Sequence, residues 1–319
     1  MAHELTIRAD GFAEIAFVGE TPWHGLGQEL EQGASLDQWR RAAGLDWRIQ
    51  RAPVQYMNGD VHTFPSQEVL YRSDNNEPLS IVSSRYREVQ PEDVLHFFKD
   101  LTEASGYRLH TAGSLRGGRR IWALAETGKV SEVVNGDPVA GYLLLATSCD
   151  KGMATTARFT SVRVVCANTL RAAESARNTS VVSVPHSTIF DPAAVKRRMG
   201  IAVSAFDAFM SQAKKLAATQ VNAAKADAFM AALLSPYLQP GAELTKNRSY
   251  QKIMALFDGE GLGAELPGVR GTAWGLVNAV TEYTDHHNPS RTNDARINSA
   301  WFGRGDTFKN EAMDIALAL

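Results

Sequence analysis

The sequence predicts an α+β fold: an antiparallel β-sheet built from hairpins and backed by helices, followed by a mainly helical portion. Three observations carry this. Between Trp47 and Arg163, strand-like apolar stretches are punctuated by hairpin turn signals. Helix entry signals flank that region, with Ser35 ahead of LDQWRRAAG and Asp191-Pro192 beyond the last strand pattern. From Asp191 onward the apolar residues recur at helical spacing. A chain of 319 residues is long for one domain and short for three. The pattern divides it into a sheet domain over 1–178 and a helical portion over 179–319.

Met1 to Pro53 reads as an irregular entry that contains TPWHGLG at Thr21 to Gly27 and one short helix. Ser35 caps that helix, Gly44 ends it, and Leu36, Trp39 and Ala43 share a face. WRIQRAPVQYM then runs as a strand to Asn58-Gly59, a strong hairpin turn, and VHTFP and EVLYRS resume it. A turn at Asp74 to Pro78 leads to LSIVSSRYREVQ. Pro91 opens a helix, PEDVLHFFKDLTEAS, that Gly106 closes.

Two hairpins follow, from Tyr107 to Glu174. In the first, Gly117-Gly118 is the turn and Arg116 faces Arg119. Strand alternation places Leu109, Leu115, Trp122 and Leu124 on a core face. Arg108, His110, Ser114, Arg116, Arg119 and several alanines fall on the other, which reads as the wet face. In the second hairpin, Asp150-Lys151-Gly152 suits a turn with glycine in the left-handed region. GYLLLA is apolar throughout and reads as a strand covered on both sides, and CANTL as a strand running into a helix. Beyond an extended segment, Val195, Met199, Val203, Phe206 and Met210 mark a helix from Asp191. NAAKADAFMAALL, SYQKIMALFD, GTAWGLVNAVTEYTDHH and the closing SAWFGRGDTFKNEAMDIALAL give the remaining helical regions.

Composition narrows the function classes. Hydrophobic residues make up 44% and charged residues 21%, an ordinary globular balance. The net charge of −2 gives no global excess of positive charge, so a polyanion site has to be a local patch. Cys149 and Cys166 lie in apolar strand patterns and read as buried free thiols. No run approaches the ~20 apolar residues that span a bilayer. MAHELTIRAD lacks the basic start and apolar block of a signal peptide, so the expectation is a cytoplasmic protein in a bacterial host cell.

No nucleophile motif accompanies His24 in TPWHGLG, which reads as a turn packed on the core. Asp285-His286-His287, with Glu282 one turn back, is the best candidate metal cluster; it lacks the second histidine and glutamate of the HExxH pattern, so the reading assigns no metal, no cofactor and no catalytic residue. The basic residues of the hairpins differ in kind. Arg108, His110, Arg116 and Arg119 share a face by alternation, Lys151 sits at the neighbouring turn, and Arg158 and Arg163 lie on the next strand. The last two are five apart and point to opposite faces unless a bulge intervenes. Such a set, with Tyr or Phe as a stacking partner, suits a groove that tracks phosphates.

TPWHGLG, SxRYREVQ before a helix, the GLxxGRRxW-like hairpin, TxRVVCANTL and TAWGLVNAVTEYxDH with SAWFG together resemble the phage/plasmid-like protein family, DUF932. The resemblance spans nearly the whole chain and implies a gene carried by phages, prophages and plasmids. A helix, two hairpins and a crossing helix also resemble, in element order, the core of Rad52-like single-strand annealing proteins of the RecT and Redβ type. That likeness implies a non-enzymatic protein binding and annealing single-stranded DNA in recombination, as a homo-oligomeric ring or filament, with no membrane partner and with host or phage recombination proteins as neighbours. The alternatives are a metal-dependent hydrolase or nuclease using Glu282, Asp285 and His286, and a protein-binding factor acting on host defence or replication.

Overall fold

The computed structural model describes residues 11–19, 27–104, 106–163, 168–170, 181–199, 203–239 and 241–319. In chain order, β1 (Ile15–Val18) and β2 (Gln28–Leu30) precede α1 (Leu36–Ala42). A three-stranded unit follows, β3 (Ile49–Asn58), β4 (Asp60–Arg72) and β5 (Pro78–Ser83), then the short helices α2 (Pro91–His96) and α3 (Lys99–Ala104). The central strands are β6 (Arg108–Leu115), β7 (Arg120–Glu132), β8 (Pro138–Ser148) and β9 (Thr155–Arg163), with β10 (Asn168–Leu170) and β11 (Val181–Val184) after them. The helices are α4 (Pro192–Met199), α5 (Val203–Ala218), α6 (Ala223–Leu234), α7 (Arg248–Ala255), α8 (Ala273–Glu282), α9 (Asn293–Phe302) and α10 (Arg304–Leu317). The expected α+β class, sheets with helices, is what the chain adopts.

The larger sheet runs β10-β9-β8-β7-β6-β1-β2, antiparallel except for the parallel β1–β2 pair, and β11 pairs with β9 beside β10. The smaller sheet is β3-β4-β5. Local signals place several boundaries. Ser35 and Gln38 form a reciprocal capping box on α1. Asn58-Gly59 turns the β3–β4 hairpin, with Gly59 at φ 77°. Asp191 Oδ1 accepts the Ala194 N–H at 3.0 Å ahead of α4. The single helix expected over Pro91–Ser105 is two, α2 and α3, broken at Phe97-Phe98, whose rings are both fully buried and pack edge to face. TPWHGLG up to Leu26, Cys166 and the helix expected after CANTL lie outside the described residues.

The first hairpin keeps its expected register, Leu115 opposite Arg120, with the Arg119 N–H donating to the Arg116 carbonyl at 3.4 Å. Its faces differ from the alternation reading. A bulge between Leu109 and Thr111 sends Leu109 to the face opposite Leu115, Trp122 and Leu124. The alanine-bearing face read as wet is buried: Ala112, Ser114, Ala123 and Ala125 are fully covered. Small side chains there let α2 lie close on β7 and β8, in the main core that extends into α5, α6, α8 and α10. The second face is closed by α9, with Trp301 edge-on to Trp122 at 5.0 Å. GYLLLA is covered on both faces, as expected, from Tyr142 to Ala146. In the Asp150 turn, Lys151, not Gly152, takes the left-handed conformation (φ 61°), and the Gly152 N–H donates to Asp150 Oδ1 at 2.9 Å.

The two sheets meet at the hairpin turns. The Tyr86 hydroxyl donates to the Ser148 carbonyl at 2.6 Å, and Arg119 Nε to the Leu79 carbonyl at 2.9 Å. Gly118 sits at φ 90°, and a Cβ there would lie 2.7 Å from the Trp47 ring, so both backbone and space require glycine. Beneath it Arg72 is buried over Trp47, 4.2 Å from its centroid, and clamps both Glu14 oxygens at 2.7 and 3.1 Å. The Ser114 hydroxyl on β6 also donates to Glu14. One carboxylate thus joins the entry segment and both sheets. In the helical portion, α8 is buried along its length, and Trp274 Nε1 donates to buried Asp137 Oδ2 in the β7–β8 turn at 2.8 Å.

Candidate nucleic-acid interface

The site begins with two interruptions of the strand ladder at one end of the sheet. His110 is the extra residue of the β6 bulge, and Thr127, Gly128 and Lys129 form a second bulge on β7 between the Glu126–Tyr142 and Val130–Ala140 pairs. Gly141 permits the second: a Cβ there would lie 2.8 Å from the Phe159 ring and 3.0 Å from Thr127 Oγ1. Both bulges lie beside α1 and α3 in the lining of one groove. It measures about 1310 Å³ and is bordered by α1, α2, α3 and the ends of β6, β7 and β8.

Arg108 and Tyr142 converge on Glu126. Arg108 Nη2 donates to Oε2 at 2.8 Å, and the Tyr142 hydroxyl donates to Oε1 at 3.2 Å. His110 meets the Tyr142 ring edge to face at 5.3 Å. Burial holds the His110 imidazole below its ordinary pKa, partly offset by the Glu126 charge, and among the described residues its buried Nδ1 has no hydrogen-bond partner. The ring is therefore neutral near pH 7. Burial, and then Glu126, raise the Tyr142 phenol, which stays a donor. Arg40, Lys99 and Lys129 also border the groove, as does half-buried Tyr107. Four carboxylates, Asp37, Glu92, Glu103 and Glu126, match the four Lys and Arg side chains. Asp37 is held by Arg40 and Arg41, and Glu92 by Arg48 from outside the groove.

The seven residues singled out in the sequence fall into separate places. Arg108 and His110 enter the groove together. Arg116, Arg119 and Lys151 stand at the opposite, turn end of the strands, where Arg116 pairs with Asp150 at 3.1 Å and Arg119 is bound to the Pro78 and Leu79 carbonyls. Arg158 is internal: it pairs with Asp306 at 3.1 Å, donates to the Trp301 carbonyl and lies 5.6 Å from the Phe302 ring centroid. Arg163 ends β9 opposite Val139, on a strand position whose side chain is outside the described residues. Alternation alone could not separate these groups, because it carries no record of the bulge or of what covers each face. Lys99, Lys129, Tyr107, Glu126 and Tyr142 were not singled out. A signal for two of them existed: Gly128 interrupts a strand pattern between Glu126 and Lys129, a mark of a bulge.

The acidic cluster of the helical portion is occupied by its own neighbours. Asp285 forms a buried ion pair with Lys309 at 2.7 Å. Glu282 Oε2 accepts the Leu262 N–H at 3.0 Å, and its Oε1 lies 3.6 Å from His287 Nε2. The His286 carbonyl accepts from Arg296 at 3.1 Å. Among the described residues no three His, Cys, Asp or Glu side chains converge as metal ligands would. Among the same residues no helix is long and apolar enough to cross a membrane.

Residues 78–301 match the family model described as a domain of unknown function, DUF932. No curated protein and no solved structure matches the chain.

Proposed function

The chain belongs to the DUF932 family, whose description carries no activity, and on the geometry of the groove we propose that the protein binds single-stranded nucleic acid without catalysing a reaction. The observation that carries this is that Lys99, Arg108 and Lys129 border one groove together with neutral His110 and half-buried Tyr107. Cations along a groove neutralise phosphates and release counterions, and aromatic rings offer stacking surfaces that tolerate any base. Half-buried Tyr107 is the ring within reach of a base, while Tyr142, buried beneath the groove, holds Glu126 in place. Because four carboxylates offset the four Lys and Arg, one protomer engages few phosphates and binds weakly. A homo-oligomer that aligns grooves multiplies the phosphates engaged, which is the role we assign to assembly. Strand annealing in phage or plasmid recombination, with a Rad52-like core, is the specific form of this reading. Its support is the order of elements: helices, then the β6–β9 meander. The turn-end residues Arg116, Arg119 and Lys151 belong to the proposed surface only if the strand runs along the sheet from the groove.

Fluorescence anisotropy with a labelled oligothymidine at two salt concentrations tests the reading. Combined Lys99→Ala, Arg108→Ala and Lys129→Ala substitutions are expected to weaken binding at least tenfold. They should also flatten the salt dependence by about 2 in log–log slope, at about 0.7 for each phosphate left without its cation. Wild-type protein that leaves the oligonucleotide's anisotropy unchanged at low salt, or a triple variant that binds like wild type, sinks the groove as the interface.

A further inference from the structure

The β3–β4 hairpin reaches beyond the small sheet as a two-stranded arm. β5 pairs with β4 only from Gln67 to Tyr71, so the tip, from Gln55 to Phe64, is a ribbon of two strands. Every residue from Gln55 to Ser66 is exposed. Among the described residues neither ribbon edge there pairs with another strand. Its apolar side chains face water: Met57 is 80% exposed, Val61 61%, Tyr56 51% and Phe64 49%. Met57 lies directly opposite Val61 on one face. Tyr56 and His62 stack at 5.2 Å on the other, where alternation also puts Phe64. Between Ala52 and Gln67 the only formally charged residue is Asp60.

An exposed, apolar ribbon with open edges marks a surface that a partner covers. The absence of Lys and Arg argues against nucleic acid or an anionic membrane as that cover. We propose that the arm docks against the same arm of a second copy of this chain. Two identical edge strands pair antiparallel about a two-fold axis, so the interface is self-complementary by construction. Side-by-side ribbons also continue each other's apolar faces. The four side chains offer roughly 400 Å² per arm, taking about 200 Å² for a whole aromatic side chain. Met57 and Val61 lie on one face and Tyr56 and Phe64 on the other, so an edge-paired dimer covers each of them only in part. It buries less than about 800 Å² of side chain, with backbone hydrogen bonds along the shared edge added to it; this is the weak end of interfaces, so the dimer depends on concentration. This inference stands apart from the groove, which the arm does not line.

Sedimentation velocity on the full chain, from about 1 to about 200 µM, reads the assembly directly; this range spans a micromolar dissociation constant. The wild type is expected to shift from monomer to dimer. Met57→Lys with Val61→Lys, and separately the milder Met57→Ser with Val61→Thr, should each raise the dissociation constant at least tenfold, with far-UV circular dichroism unchanged for the milder pair. A wild type that is monomeric throughout overturns the proposal, as does a dimer that both variants leave intact. Arm-dependent flotation of a monomer on phosphatidylcholine vesicles overturns it in favour of a lipid surface. Oligonucleotide affinity measured on dilute monomer should not change in the uncharged Met57→Ser, Val61→Thr variant, which separates failure of the arm from failure of the groove.

Discussion

Replacing Arg72 with methionine strips the guanidinium from a carboxylate that is itself 1% exposed. In the wild type, Arg72 holds both Glu14 oxygens and, through Nε and Nη2, Asp74 at 3.0 and 2.8 Å. Burial raises the Glu14 pKa above its ordinary value, while Arg72 and the Ser114 hydroxyl pull it back. Without Arg72 the carboxylate keeps one hydroxyl, and breaking a buried pair in this way costs about 3–5 kcal/mol. Asp74, 41% exposed, turns to water and adds little. A carboxyl whose folded-state pKa is raised contributes stability below its unfolded value, near 4.3, and loses it as pH rises through the folded value. Losing Arg72 raises Glu14 further, so the deficit of the variant is largest at neutral pH and shrinks as pH falls through the raised folded value toward about 4. Urea unfolding followed by tryptophan fluorescence, at pH 7 and pH 4, measures it. With a slope of about 3 kcal/mol/M, a loss of about 4 kcal/mol moves the midpoint down by about 1.3 M. Glu14→Leu combined with Arg72→Met should recover most of the loss, because an apolar pair of similar volume leaves no buried charge. A loss under 1 kcal/mol at pH 7, or one that is the same at pH 4, refutes the account of Glu14 as the carboxylate joining the two sheets.

Two further outcomes follow from the same physics. Arg158→Met removes the partner of Asp306 and of the Trp301 carbonyl, and should lower stability by about 2–4 kcal/mol; early proteolysis within α9 and α10 would report their release from the sheet. His110, depressed by burial, contributes stability above its unfolded pKa near 6.5 that is lost as pH falls through the folded value. Thermal melts should therefore drop between pH 7.5 and pH 5 in the wild type, and drop less in His110→Phe. Equal pH dependence in both proteins would contradict the burial of that ring.

The local grammar of this chain is written in its residues. Ser35 and Gln38, Asn58-Gly59, Pro91, Gly117-Gly118 and Asp191-Pro192 each act on their immediate backbone, and each marks a boundary where the structure has one. The run GYLLLA announces a strand buried on both faces because no polar residue interrupts it. Membership of DUF932 is also legible, from several motifs in one order. Which arginines share a surface, by contrast, is settled by packing. A single bulged residue, His110, reverses strand parity, so Leu109 leaves the face of Leu115 and Arg108 parts company with the buried alanines. Asp306 and Phe302 come from more than 140 residues away to enclose Arg158, and no local pattern encodes that distance. A charge on a strand is wet or buried according to what the rest of the chain lays over it.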